Sequence, residues 1–308
     1  MISIAMPTYN GEKYLREQLD SIYTQTIAPD EVIVVDDCST DGTIAILEYY
    51  KQNYGLKYYV NEKNLGYNKN FERAIRLCSG DYIVLSDQDD VWFKDKIEVS
   101  YQAIRKFPKD EPALVSSFVE QVDVNLNSVR KDVARMQEGD WRLNLTRYNA
   151  QGCTLMFNRA LLKYILPFPD DMIYDAYIGL TASMVGNRYY IPKILQYYRL
   201  YGGNSLASDA PKAQYALSTQ LHFLRAYVPY WYTKDSQYRF LKLLKKYQGV
   251  NFIPERVLTL EKVIKIFEVG KLRRLTLFLS LDGPNAYQKI RTSMGLILKM
   301  LFFIKDEY

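Results

Sequence analysis

Tyr82-Ile83-Val84-Leu85-Ser86-Asp87-Gln88-Asp89-Asp90-Val91-Trp92 runs four apolar residues straight into three carboxylates within four positions. A short apolar run bounded by polar residues reads as a buried strand. Carboxylates released together at its C-terminal end repel one another and raise each other's pKa unless a cation sits among them. The cation that suits an all-oxygen set is magnesium or manganese, which usually also holds substrate phosphates. An isolated Asp-x-Asp fits a solvated acidic turn equally well, so the surrounding pattern has to decide.

Outward from this stretch, strands and helices alternate. Ile2–Met6, Glu31–Val35 and Leu56–Val60 read as strands, as does Tyr82–Leu85. Glu12–Thr24, Asp41–Asn53, Asn68–Cys78 and Lys94–Lys106 carry helical patterns. Thr40 or Asp41 can cap the second helix, and Ser79-Gly80 stops the third. This rhythm predicts an α/β fold, a mostly parallel twisted sheet flanked by helices. Ligands of such sheets bind outside the C-terminal strand ends. There the sequence places Thr8-Tyr9-Asn10, Asp36-Asp37 and Asp87-Gln88-Asp89. Further on, strands are expected at Ala113–Val119 and Gly152–Phe157, with a short edge strand at Tyr189–Ile191. Helices are expected at Arg159–Leu166 and Asp175–Val185.

The 308 residues suit one large domain or two modest ones. A boundary near 205–212 divides a catalytic domain, 1–208, from a helical C-terminal region, 209–308. Net charge is +5, but residues 211–308 carry +10 and the remainder −5. Lys262, Lys265, Lys271, Arg273, Arg274, Lys289, Arg291 and Lys299 alternate with apolar runs too short to span a bilayer. Such a region suits a helix lying on an anionic membrane surface. Packing within a bundle or a homodimer is the alternative. No nucleic-acid recognition motif accompanies the basic residues. The sequence shows no secretory leader, and Cys38, Cys78 and Cys153 are too widely spaced for a metal motif, which points to reduced thiols in the cytoplasm. His222, the chain's only histidine, reads as structural.

No Gly-x-Gly-x-x-Gly follows the first strand and no Gly-Lys-Ser/Thr follows any strand, which excludes the common dinucleotide and phosphate-loop sites. The first turn, Pro7-Thr8-Tyr9-Asn10-Gly11-Glu12, favours stacking and hydrogen bonding to a base. Asp36 or Asp37 can accept from a pyrimidine N–H or a ribose hydroxyl. Five blocks then carry a specific resemblance: "IAMPTYNGEKYLREQLDSIYTQT", "EVIVVDDCSTDGT", "NEKNLGYNKNFERAI", "SGDYIVLSDQDDVWFKDKI" and "GCTLMFNRALL". Together they resemble inverting glycosyltransferases of family 2, which have the type A nucleotide-sugar fold. A later block, "MIYDAYIGLTASMVGNRYYIPKILQYYRLYGGNS", is similar to bacterial rhamnosyltransferase-like members. Those members often carry histidines where this chain has Tyr174 and Tyr201.

The resemblance implies a nucleotide-sugar donor site lined by Pro7, Tyr9, Glu12, Asp36, Asp37, Asn64, Gly66, Lys69, Asp87 and Gln88. It implies Asp89 as ligand of a Mg2+ or Mn2+ ion, Asp175 as catalytic base and Arg199 as a partner of the diphosphate. Asp175 also fits a helix N-cap. The reaction implied is transfer of a sugar, with rhamnose from dTDP-rhamnose favoured, to a lipid-linked or growing surface polysaccharide at the inner membrane surface. A UDP-hexose-dependent enzyme and an inactive nucleotide-sugar-binding scaffold are the alternatives.

Overall fold

The fold is that of a computed structural model, which describes residues 1–131, 151–170, 172–201, 253, 256–258 and 261. The basic C-terminal runs, His222 and the expected domain boundary lie outside the described residues. The described residues fall into two compact units. Residues 183–185 and those from 253 onward belong to the second, where Ile253 N donates to Met184 O at 3.2 Å and Arg256 Nη1 to Ser183 O at 2.7 Å. Everything below concerns the first unit. Among the described residues no helix is long and apolar enough to cross a membrane.

The first half of the chain builds β1 (Ile2–Thr8), α1 (Leu15–Tyr23), β2 (Glu31–Asp36) and α2 (Thr43–Tyr54). It continues with β3 (Lys57–Val60), α3 (Tyr67–Leu77), β4 (Tyr82–Leu85), β5 (Val91–Trp92) and α4 (Lys96–Ile104). Strands β3, β2, β1 and β4 lie side by side and parallel. β2 and β4 are buried at every position because helices cover both sheet faces, so their sequences read as continuous apolar runs. Ile4, Met6, Val34, Val84, Leu15, Leu19 and Leu47 form the centre of the core. α2 stops at Gly55, whose φ of +73° closes the helix in the left-handed region that glycine adopts without penalty.

The second half makes the sheet mixed. It contributes β6 (Ala113–Val122), β7 (Ser128–Lys131), β8 (Met156–Asn158), α5 (Leu162–Ile165), α6 (Tyr174–Val185) and β9 (Asn187–Arg199). The strand order among the described residues is β3-β2-β1-β4-β8-β6-β9-β5, with β7 paired to β6. β8 runs antiparallel to both β4 and β6, β6 and β9 are parallel, and β5 is antiparallel to β9.

Three expectations are corrected here. Gly152–Thr154 is a turn of 3-10 helix, and only Met156–Asn158 is strand. Residues 159–161 are also 3-10 before α5. β9 is not a short edge strand but 13 residues long, and it lies between β6 and β5. Pro192 does not end it because the β6–β9 pairing is irregular around there.

Candidate active site

The parallel register of β1, β2 and β4 brings their polar C-terminal ends to one sheet edge. Thr8 stands opposite Asp36, and the ladder continues past both through Asp37 N to Thr8 O at 2.8 Å. Ser86 N reaches Ala5 O at 3.0 Å, which seats the acidic loop after β4 beside β1. Gln18 from α1 fixes the Ser86 hydroxyl at 2.7 Å. The non-glycine residues Asn10 and Cys38 have φ of +48° and +66°. Left-handed residues just after β1 and β2 turn the chain sharply across the sheet edge, a conformation that clusters at functional sites.

The acidic loop is anchored on both sides. Gln88 exchanges two hydrogen bonds with the Tyr9 backbone, at 2.9 and 3.0 Å. A Cβ at Gly11 would stand 2.4 Å from Gln88 Oε1, so the glycine is what lets this clasp close. Asp89 Oδ2 accepts from the Tyr201 hydroxyl at 2.7 Å. Asp90 is 1% exposed and accepts from Gln196 Nε2 at 2.7 Å.

Their charges are crowded. Burial, then Asp90, Asp89 and Asp175, push the Asp87 carboxyl well above the ordinary aspartate value. Burial and then Asp89 push Asp90 up to about 7. Burial also raises Asp89, opposed by the Tyr201 hydroxyl and by Arg199. Ligand atoms of Asp87, Asp90 and Cys153 lie within 4.8 Å of one another. A divalent cation would reverse this electrostatic conflict. The carboxylate oxygens suit Mg2+ or Mn2+, whereas burial keeps the Cys153 thiol protonated and a poor ligand for a hard cation.

Beneath the cluster lies a cation that sequence reasoning missed. Lys96 is 1% exposed, and its Nζ donates to Cys153 O at 2.6 Å and to Gln196 Oε1. The ammonium also sits 3.7 Å from the Trp92 ring centroid. Burial lowers its pKa to about 7. A lysine in the first turn of a helix looks like a solvated residue in sequence. Its burial follows from the long reach of β9, which delivers Gln196.

Arg199, expected from the sequence to partner the diphosphate, is 2% exposed and braces the acidic loop. Its Nε donates to Asp89 O at 3.0 Å, Nη1 to Val124 O at 2.8 Å and Nη2 to Glu17 Oε2 at 2.5 Å, and the guanidinium stacks over Tyr14. Asp36, expected to line the nucleotide site, is fully buried, and its oxygens accept from Thr8 Oγ1, Ser39 N and Ser39 Oγ, which holds the strand ends together. Asp37 accepts from Asn61 Nδ2 at 2.5 Å and from the amides of Leu65 and Gly66, both at 2.8 Å. Its charge thereby sits at the N-terminus of α3, where the helix dipole favours an anion.

Asn64 donates to Asp37 O and accepts from Gly66 N, and Gly66 has φ +78°. Lys69 faces the chain before α6, pairing with Asp170 at 2.7 Å and donating to Phe168 O at 3.2 Å. Glu12 accepts from Gly42 N at 3.0 Å, just ahead of α2. Pro7 is half-buried near the end of β1, while Tyr9 is 49% exposed at the mouth of the edge.

Asp175 stands in the first turn of α6, two residues beyond its N-cap, Ile173, so it is not the N-cap itself, but it does accept from a first-turn amide as the capping alternative expects. Its carboxylate is 7% exposed and accepts from Gly152 N at 3.1 Å and Ala176 N at 2.8 Å. A Cβ at Gly152 would fall 1.8 Å from the Tyr174 hydroxyl, so only glycine fits against the helix start. Asp37, Asp87, Asp89 and Asp175 thus share one unit, the first three just beyond strand ends and Asp175 at the start of α6.

Comparison with known proteins matches residues 3–165 to the family described as "Glycosyl transferase family 2". Chondroitin synthase of Escherichia coli is 37% identical over 106 residues, which are 34% of this chain and 16% of that protein. The dTDP-rhamnosyl transferase RfbG of Shigella flexneri is 43% identical over 100 residues, 30% of this chain and 34% of that protein. The matched region therefore spans about a third or less of these two relatives. Among solved structures, Staphylococcus aureus TarS in complex with UDP-GlcNAc aligns at a TM-score of 0.58 and 21% identity, over 98% of this chain and 73% of that one. The mannosyltransferase PcManGT of Pyrobaculum calidifontis, in complex with GDP-Man and Mn2+, aligns at 0.53 and 17% identity, over 100% of this chain and 88% of that one. These two likenesses establish a shared fold, the type A glycosyltransferase fold.

Proposed function

The chain belongs to glycosyl transferase family 2, and on that premise we propose that it transfers a sugar from a nucleoside diphosphate to a hydroxyl of a bacterial polysaccharide acceptor. The observation that carries the reading is the acidic loop Asp87, Asp89 and Asp90 after β4, in which the Asp87 and Asp90 carboxylates lie within 4.8 Å of each other.

In this reading Asp37 and the Tyr9 turn hold the nucleoside, with Pro7, Glu12, Asn64 and Gly66 shaping its pocket. Asp87 contacts the ribose or the sugar. Asp89 is the ligand we assign to Mg2+ or Mn2+, which would neutralise charge on the departing diphosphate, although the carboxylates that the fold brings within 4.8 Å of one another are those of Asp87 and Asp90. Asp175 takes the proton from the acceptor hydroxyl as that oxygen attacks the anomeric carbon, and the nucleoside diphosphate leaves with inversion. The two amides on the Asp175 carboxylate fix its direction. Such a base has to lie about 3 Å from the oxygen it deprotonates.

Rhamnose from dTDP-rhamnose is the favoured donor, supported by the Shigella relative's name. A UDP-hexose is the second reading, supported by the chondroitin synthase relative and the fold shared with TarS. We assign the polymerised or lipid-linked acceptor, a membrane-associated or dimerising helical region at 209–308, and a catalytic domain at 1–208 on sequence grounds. The test is a panel of dTDP-, UDP- and GDP-sugars, with nucleoside diphosphate release followed with and without Mn2+. Metal-dependent release from one donor, lost in Asp89→Ala, is expected. Tight nucleotide-sugar binding with no release from any donor would favour the inactive scaffold.

A further inference from the structure

Among the described residues from 168 to 174, Phe168, Met172 and Tyr174 meet α3 side chains through backbone groups, and the Asp170 carboxylate pairs with Lys69. Phe168 N donates to Glu72 Oε2 at 3.0 Å, and Lys69 Nζ donates to Phe168 O. Asn68 makes the closest pair of contacts to the helix start. Its Nδ2 donates to Met172 O at 2.5 Å, and its Oδ1 accepts from Tyr174 N at 3.0 Å. Tyr174 N is one of the amides that the first turn of α6 leaves without an intrahelical partner, and no side chain of its own N-cap residue serves there. Asn68 thus supplies from another element what a capping residue would supply locally.

The other end of this contact is equally fixed. Asn68 lies in the first turn of α3, and the amides of Leu65 and Gly66 just ahead of that helix are held by the Asp37 carboxylate. The Phe71 ring stacks on Tyr174 at 4.0 Å between centroids, so two successive turns of α3 press on the residue before Asp175. Asp37 is thus hydrogen-bonded to the turn that leads into α3, and Asn68 in the first turn of α3 is hydrogen-bonded to Tyr174, the chain neighbour of Asp175.

We infer that Asn68 is a positioning residue: it seats the first turn of α6, from which the Asp175 carboxylate reaches Gly152 N, and ties that turn to the Asp37 turn. The catalytic part of this rests on the reading of Asp175 as base. Asn68 is half-buried, so its truncation leaves the core intact.

The test compares Asn68→Ala, which removes both bonds, with Asn68→Asp, which keeps the acceptor for Tyr174 N and loses the donor to Met172 O. Amide exchange in the ligand-free protein is expected to rise about tenfold at Tyr174 and its neighbours in Asn68→Ala, and less in Asn68→Asp, since one such bond is worth roughly one kcal/mol. With dTDP-rhamnose and UDP-N-acetylglucosamine as donor probes, kcat is expected to fall in the same order while donor KM stays within about twofold. Unchanged exchange in Asn68→Ala overturns the inference whatever the activity. Faster exchange with unchanged kcat overturns the positioning role. A wild-type protein inactive on every donor fails the base assignment, while the exchange result still decides whether Asn68 holds the helix.

Discussion

The Tyr201 hydroxyl donates to Asp89 Oδ2 at 2.7 Å, while the Tyr201 ring lies against Tyr14 at 5.0 Å. The phenol therefore reaches the carboxylate proposed to bind metal without offering a nitrogen ligand of its own. Its effect is to favour the charged form of Asp89, since burial raises that group and the hydroxyl opposes the rise. Tyr201→Phe is expected to weaken Mn2+ binding about tenfold, as loss of a hydrogen bond to a ligating carboxylate commonly does. Calorimetric titration with Mn2+ measures it, and an affinity equal to wild type would remove Tyr201 from the site.

Asp175→Asn keeps the shape of the side chain and removes its basicity. Transfer is expected to fall by roughly 10²–10⁴-fold, the usual contribution of a positioned base. Nucleotide affinity should stay near wild type, because Asp175 faces Gly152 and the start of its own helix. Turnover at the wild-type rate would take Asp175 out of the reaction.

Gly152→Ala puts a methyl group where the Tyr174 hydroxyl already stands, 1.8 Å away. Tyr174 cannot yield easily, being stacked on Phe71 and seated by Asn68. A loss of about 1–3 kcal/mol is expected, as for other overpacked sites. Tyr174→Phe in the same chain should relieve it only in part, because the ring carbon beneath the hydroxyl is itself 2.5 Å from the added Cβ. Thermal unfolding of the single and double variants checks both statements.

Glu31 gives the fold a pH dependence remote from the site. Burial alone would raise its carboxyl. The Ser3 hydroxyl, the Ser79 amide and hydroxyl and the Lys57 ammonium outweigh burial and hold it below the ordinary glutamate value. A group depressed on folding stabilises fully above its unfolded pKa, and that contribution disappears as pH falls through the folded value. Glu31→Gln should therefore cost about 2 kcal/mol at pH 7, in line with hydrogen bonds to a charged group. Its disadvantage relative to wild type should shrink as the pH is lowered below the ordinary glutamate range. Urea unfolding across that range would show parallel curves if Glu31 were not ionised in the folded state.

The first four strands and helices were legible because each is a local consequence of its own sequence. Tyr82–Leu85 matched to the residue, since a continuous apolar run with a polar stop has few other solutions. β9 was not legible. Its 13 residues mix apolar, basic and polar side chains, and only pairing with β6 and β5 makes the whole stretch a strand. Gly152–Thr154 failed for a similar reason: the close approach of Tyr174, 22 residues later in the chain, shapes a segment whose composition reads as strand.

By itself the sequence determined that a parallel α/β sheet ends in acidic residues at one edge, and which carboxylates those are. Period and polarity are local properties, and the C-terminal strand ends of a parallel sheet must share an edge. The tertiary structure alone decided what each carboxylate faces. Asp36 and Asp37 are neighbours in sequence, yet one is closed in by Thr8 and Ser39 and the other caps α3. Lys96, Gln196 and Asn68 act across separations of dozens of residues or more, and no local pattern marks them. Burial and hydrogen-bond partners come from packing, and packing turns a row of acids into distinct stations.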